Sequence, residues 1–458
     1  MCEFSAESLG RVVVAGAGVS GAGCARLLAR VGADVRVADD NETARFRVQE
    51  ATGVEAWSTA QLRESLDSVD LVVTSPGWRP DSAVLVAAAE AGVEVIGDVE
   101  LAWRLDSAGA CGAPRTWLAI TGTNGKTTTT AMAAAMLSEG GFKAEAVGNI
   151  GVSVGDALLA EPRIDVIVAE LSSFQLHWSS TIHPAAGVLL NLADDHIDWH
   201  GSFDAYALAK AKLLDSDVAI ISRDDAAVVR VAGARDVIAF GSGIPLDGEL
   251  GVEDGMLVDR AFGGGVLASA EGISPAGPAG VYDALAAAAL ARSQGVEPQA
   301  IARALDTFEV SGHRGQVVHE HNGVVFVDNS KATNPHAADA ALRGQSGVHW
   351  VAGGQLKGAD VAELVREHAP RMAAAYLMGV DREVMRQALL DARPDLPIVV
   401  TDSTDPVAAT EELVAAAAAA AKPGQSVVLA PAAASLDMFT GMGQRGDLFA
   451  DAARRFAR

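Results

Sequence analysis

The chain has 458 residues, 50% hydrophobic and 21% charged, a composition that argues against disorder and a length that predicts two to four domains. Lys and Arg total 35 against 59 Asp and Glu, a formal net charge of −24, which argues against a general nucleic-acid binder and against docking on an anionic membrane, although local sites can still hold small anions. Cys2, Cys24 and Cys111 are far apart with no CxxC spacing, and neither a signal peptide nor a membrane-length apolar run is visible, so a disulfide scaffold or zinc ribbon is not expected and a cytoplasmic protein is.

In chain order, strands are predicted at 11–15, 34–38, 71–74, 117–121, 165–170, 186–191, 218–222, 324–328, 348–353, 374–379, 398–401 and 426–430, with alanine-rich helical windows between most pairs. This alternation predicts several doubly wound α/β units. Small and turn residues at 106–115 and around 310–315 punctuate the chain, which predicts domains at 1–107, 108–312 and 313–458. The glycine-rich stretch 241–274 predicts turns or a small hairpin inside the middle domain. The alanine run 415–421 reads as helix, ending before Pro423-Gly424.

The first predicted strand runs into GAGVSGAG, with Gly16, Gly18 and Gly21 spaced as GxGxxG and Asp39 at the end of the second strand. Small residues there let backbone amides approach a diphosphate at a helix N-terminus. The loop alone leaves NAD, another nucleotide diphosphate, or a bare tight turn as readings.

The strand before TGTNGKTTTT opens a phosphate loop. Gly122, Thr123, Asn124 and Gly125 can cradle phosphate, Lys126 supplies a point charge, and the Thr127 hydroxyl can reach Mg²⁺, with Thr128 behind it. Ile120 departs from the GxxxxGK[ST] form, so the pattern here is GxxGKT. Downstream stand GNIG at 148–151, Glu170 at the C-terminal end of a strand, His196 after another, and Lys210 on a helix. A carboxylate at a strand end can hold Mg²⁺. Taken alone, Lys210 reads as a solvated helix lysine and His196 as a turn residue.

GTNGKTTT, GNIG, ELSSFQLHW, DDHIDWHG…YALAKAK, His313-Arg314, SKATN, GGxxK and ASLDMF occur in this order, and the set resembles the Mur ligases. SKATN with ELSSFQL resembles the D-glutamate-adding members. The resemblance implies a three-domain α/β protein: a Rossmann-like UDP-sugar domain, a central P-loop ATPase-type domain and a Rossmann-like amino-acid domain. It implies an ATP-dependent ligase of peptidoglycan precursor synthesis. Such an enzyme phosphorylates the carboxylate of UDP-N-acetylmuramoyl-L-alanine, and the acyl phosphate is attacked by the amine of D-glutamate. ATP, two Mg²⁺ sites and a carbamylated lysine are implied, with small-molecule partners only and a cytoplasmic monomer.

By resemblance, Lys126, His196, Lys210 and Lys331 are catalytic. Thr127, Glu170, His196 and Lys210, the last as a carbamate, hold metal. Gly122 to Thr128, Asp283, Arg314 and Asp328 bind ATP. Val19, Ser20, Asp39, Ser75, Gly77 and Asn149 bind the UDP-sugar, and Thr333, Lys357, Ser435 and Leu436 bind D-glutamate. Four departures from the family's usual residues accompany these matches: Asn329, Gln316, Asp283 and Met442. Three of the matched residues also have a purely structural reading, Thr333 and Ser435 as helix N-caps and Lys357 as a loop lysine. A NAD-dependent oxidoreductase leaves the P-loop, Glu170 and His196 unexplained. A folylpolyglutamate-type ligase is not expected to carry the N-terminal UDP-type domain, and the intact Lys126, Glu170 and His196 weigh against a non-catalytic regulator. The chain has only seven lysines, and Lys126, Lys210, Lys331 and Lys357 all lie in these motifs.

Overall fold

A computed structural model describes residues 9–149, 152–309, 312–343 and 345–457. Cys2, Ile150 and Gly151 of GNIG, and Val310 and Ser311 of the second punctuation lie outside the described residues. Three mainly parallel sheets account for the strands, as the alternation predicted.

The first sheet has five parallel strands in the spatial order Glu55–Trp57, Asp34–Ala38, Arg11–Ala15, Leu71–Thr74, Glu94–Gly97. The chain reverses direction of travel beside Arg11–Ala15, where ligands gather in open α/β sheets. The second sheet has nine strands, and Thr116–Thr121 lies between Val166–Glu170 and Ala186–Leu189 in parallel register. Its far edge is antiparallel, formed by Glu249–Glu253, Met256–Asp259 and Gly265–Ser269, so the glycine-rich 241–274 stretch holds a three-stranded meander rather than one hairpin. In the third sheet Val324–Asp328, Ser426–Leu429 and Val348–Gly353 are parallel neighbours, and Gln316–His321 pairs antiparallel at one edge.

All twelve predicted strands are present, some shifted by a residue or two at their ends. Among those missed outside the 241–274 stretch, Glu55–Trp57, Glu94–Gly97 and Ile238–Phe240 carry only three or four residues, Ala144–Gly148 is mostly half-exposed, and Gln316–His321 is an edge strand with little buried surface. Central strands such as Val166–Glu170 are buried on both faces, and that continuous apolar run is what the sequence displays.

By contact the chain forms two compact units. One comprises residues up to 192 with 196–272 and 281–308, and the other 193–195, 273–280 and 309 onward. The first unit thus contains both of the first two sheets. One buried cluster runs through them, from Val12, Val14 and Leu27 to Trp117, Ile167 and Leu176. Arg26 donates to Asp156 with two bonds of 2.7 Å, and the Gly97 amide donates to Trp178 O at 3.0 Å.

Candidate active site

The phosphate loop follows Thr116–Thr121 and leads into the helix Lys126–Glu139, at the point where the second sheet reverses its order. Gly125 has φ +82°, and a Cβ there would lie 2.4 Å from Asp283 Oδ1, so only glycine fits. Asn191 holds the loop from the neighbouring strand end, accepting from the Asn124 amide at 2.8 Å and donating to Asn124 O at 3.1 Å. Lys126 Nζ folds back to Gly122 O (3.0 Å) and Thr123 O (2.8 Å). Lys210 is 2% exposed, and its Nζ donates to the same Gly122 O at 2.7 Å and to Thr121 Oγ1 at 3.2 Å. Two ammonium groups therefore converge on one carbonyl oxygen.

Thr127 Oγ1 donates to Glu170 Oε2 at 2.6 Å, and Asn149 Nδ2 donates to Glu170 Oε1 at 3.0 Å. A hydroxyl beside a buried carboxylate at the end of a phosphate loop is a hard-oxygen pair of the kind Mg²⁺ takes together with nucleotide phosphates. Asp283, 7% exposed, is turned into the loop and accepts from Thr129 Oγ1 at 3.2 Å.

His196 has φ +54° and begins the short helix Ile197–His200. Its ring packs 4.6 Å from Phe174, in a nest that also holds Trp199, His177 and His200. Burial pushes His200 down to about 4, so its ring is neutral at physiological pH. Its Nε2 meets Ser173 Oγ at 2.9 Å.

At the first sheet, Gly21 lies against Gly16 so closely that a Cβ would be 1.8 Å from Gly16 O, whereas Gly18 faces open space. Asp39 follows the second strand and accepts from the Ala17 and Asn41 amides, both at 2.8 Å. Its carboxylate therefore closes the loop. Val19 is 72% exposed, Ser20 is in the first turn of the helix Val19–Arg30, and Ser75 and Gly77 follow Leu71–Thr74. These residues share the carboxyl edge of adjacent strands.

The second unit gathers its motifs in the same way. Asp328 ends Val324–Asp328, and SKATN with Lys331 and Thr333 follows it. Lys357 follows Val348–Gly353 with φ +54°. Ser435 and Leu436 follow Ser426–Leu429, Ser435 buried and Leu436 exposed. Three parallel neighbouring strands thus deliver three loops to one sheet edge. His313 Nδ1 meets Asp328 Oδ2 at 2.6 Å, and Arg314 is the next residue. Asn329 donates its amide to Leu429 O at 2.8 Å, Gln316 opens the edge strand, and Met442 opens the helix Met442–Phe456.

Some contributors carry no motif signal strong enough to be assigned in advance. Tyr206 is buried with its hydroxyl 2.8 Å from Thr123 Oγ1 and its ring 4.9 Å from Lys210 Nζ. The spacing of four from Lys210 on one helix was the available hint. Arg445 is fully buried, and its guanidinium reaches Ser330 Oγ and O, Gly353 O and Ala433 O at 2.8–3.3 Å. It thereby ties together all three loops of the second unit. Burial lowers its pKa to about 10, so it remains a cation. Asp339, Glu367 and His368 also lie close together, but both Asp339 oxygens and both His368 nitrogens are taken up by each other, Arg343 and Arg371.

The chain matches three family profiles: "Mur ligase MurD-like, N-terminal domain" over residues 10–97, "Mur ligase middle domain" over 120–247 and "Mur ligase, glutamate ligase domain" over 313–433. It is 62% identical over 447 residues to a UDP-N-acetylmuramoylalanine–D-glutamate ligase of Corynebacterium efficiens, covering 97% of this chain and 94% of that protein. It is 48% identical over 477 residues to the ligase of that name from Mycolicibacterium smegmatis, covering 97% and 96%. The crystal structure of UDP-N-acetylmuramate-alanine ligase MurC from Thermotoga maritima shares the fold at TM-score 0.59 and 17% identity, covering 97% of this chain and 99% of that one. With profiles matched in each of its three sheet regions and relatives aligned along nearly its whole length, the chain belongs to the Mur ligase family.

Proposed function

We propose that this chain is the ATP-dependent ligase that joins D-glutamate to UDP-N-acetylmuramoyl-L-alanine through an acyl phosphate, in peptidoglycan precursor synthesis. The observation that carries the chemistry is the Thr127–Glu170 pair at the end of the phosphate loop, 2.6 Å apart. The named relatives support the choice of substrates. The domains are 1–107, 108–312 and 313–458, each with one sheet. The reaction takes place in the cytoplasm and in a monomer.

The substrate carboxylate and the γ-phosphate are both anionic, so their approach must be screened. Gly122 to Thr128 form the nucleotide cradle, with Lys126 Nζ already at its rim. Thr127 and Glu170 would hold one Mg²⁺, and His196 with Lys210 as a carbamate a second. Mg²⁺ bound there supplies charge neutralisation at the phosphate oxygens. A carbamate turns one of the two cations meeting at Gly122 O into an anion and retains one N–H for that carbonyl. Val19, Ser20, Asp39, Ser75, Gly77 and Asn149 receive the UDP-sugar. Asn149 also bonds Glu170, which links the sugar-diphosphate end to the metal end. Asp283, Arg314 and Asp328 serve the nucleoside. Thr333, Lys357, Ser435 and Leu436 bind the two D-glutamate carboxylates, and Lys331 screens the tetrahedral oxyanion.

A substrate panel tests this reading. Phosphate release with ATP and UDP-N-acetylmuramoyl-L-alanine is expected with D-glutamate and not with L-glutamate or other amino acids. Release without D-glutamate preference would overturn it.

A further inference from the structure

The helix Ser173–His177 has only five residues, yet both its ends are secured. Ser172 and Gln175 form a capping box at its start. At its end the Lys212 ammonium donates to Leu176 O at 2.9 Å, His177 O at 3.0 Å and Ser179 O at 2.9 Å. An ammonium carries three N–H bonds, and here each meets a carbonyl oxygen in the last turn of this helix or just past it. This helix begins three residues after Glu170, and its Phe174 packs against His196 at 4.6 Å and Trp199 at 4.7 Å. Its Ser173 hydroxyl meets His200 Nε2. The helix therefore joins the strand end that carries Glu170 to the turn that carries His196.

We propose that Lys212 is a positioning residue for the metal- and nucleotide-binding edge: by clamping the last turn of Ser173–His177 it fixes Glu170 and His196. The proposal rests on the reading that these two residues face Mg²⁺ and nucleotide. Lysine suits the task because three donors radiate from one atom toward three converging carbonyls, a geometry the planar guanidinium fork of arginine does not offer. In a chain with 28 arginines and seven lysines, a lysine retained here is explained by that geometry.

The test measures Mn²⁺ binding by electron paramagnetic resonance, with a non-hydrolysable ATP analogue, on the full chain and its Lys212→Met and Lys212→Arg variants. Lys212→Met is expected to weaken Mn²⁺ binding about tenfold, the usual scale for residues that orient metal ligands, and Lys212→Arg by less. The KM for the UDP-sugar is expected to stay within about twofold. If Lys212→Met does not fold, Lys212→Arg, which keeps the charge and most of the stem, carries the comparison. Equal Mn²⁺ affinity in the folded variants and the parent overturns the proposal alone. So does a UDP-sugar KM that rises as much as the Mn²⁺ constant, which marks general loosening. No Mn²⁺ binding in the parent chain overturns the metal reading and the proposal with it.

Discussion

Single side chains set the charge logic of the site. Lys126 is the cation at the rim of the phosphate cradle, and Lys126→Ala is expected to lower ATP-dependent turnover by about 10²–10³ or more, the range for removing a transition-state donor; near-normal phosphate release would remove the P-loop assignment. Lys210→Ala is expected to be nearly inactive and partly restored by acetate or another short carboxylate, which substitutes for the carbamate oxygens. Full activity without addition would exclude that role. Asp98 offers a separate probe. It is 6% exposed, accepts from Gln175 Nε2 at 3.3 Å, and its Oδ1 has no hydrogen-bond partner among the described residues. Burial pushes it up to about 6, against 3.8 for an ordinary aspartate, although hydrogen bonds from Gln175 and the Val99 amide pull the other way. The folded pKa is the higher one, so ionised Asp98 destabilises the fold above pH 6 by up to about 3 kcal/mol, and the penalty disappears as pH falls to about 4. Asp98→Asn is therefore expected to gain more thermal stability at pH 8 than at pH 5, measured by thermal unfolding across that range. An equal shift at both values would count against a charged Asp98.

At the scale of elements, strand ends and short helices do the positioning. In the second unit the loops after Val324–Asp328, Val348–Gly353 and Ser426–Leu429 share one edge because these strands are parallel neighbours. Arg445 crosses beneath them from the helix Met442–Phe456. Arg445→Met fills much of the same volume but leaves buried carbonyls and a hydroxyl unpaired. It is expected to destabilise the second unit by about 3 kcal/mol and to raise the KM for D-glutamate more than that for ATP or the UDP-sugar. Unchanged D-glutamate kinetics in a folded variant would reduce Arg445 to a packing role. The GxGxxG loop shows the same division of labour on the other unit. Gly21 is required for close packing, Gly18 faces open space, and Asp39 fastens the loop to its strand.

For the whole molecule, the net charge of −24 argues against polyanions, not against small anionic substrates. On the proposed reading, ATP, a UDP-sugar and D-glutamate meet helix N-termini and a few placed cations. By contact the first two sheets fall in one unit, where the buried cluster and the Arg26–Asp156 and Gly97–Trp178 bonds join them. Ligands that bind the native state raise the stability of the unit they occupy. Calorimetry is therefore expected to show the UDP-sugar raising the transition of the first unit and D-glutamate that of the second. A UDP-sugar shift confined to the second unit would overturn the placement of its site.

The sequence by itself determined twelve of the strands and their order along the chain, the two glycine loops, and the candidate residues for chemistry. Each of these is written in local pattern: continuous apolar runs for buried parallel strands, and glycines where backbone must turn or be approached. It also marked Lys126 and Glu170, because a phosphate loop and a strand-end carboxylate have recognisable neighbours. Only the tertiary structure decided which strand ends lie side by side, since pairing depends on burial between segments distant in sequence. It alone shows the partners of Tyr206, Lys212 and Arg445. Their partners are a hydroxyl, backbone carbonyls and loops remote along the chain, and no local pattern records a carbonyl that a fold leaves in need of a donor.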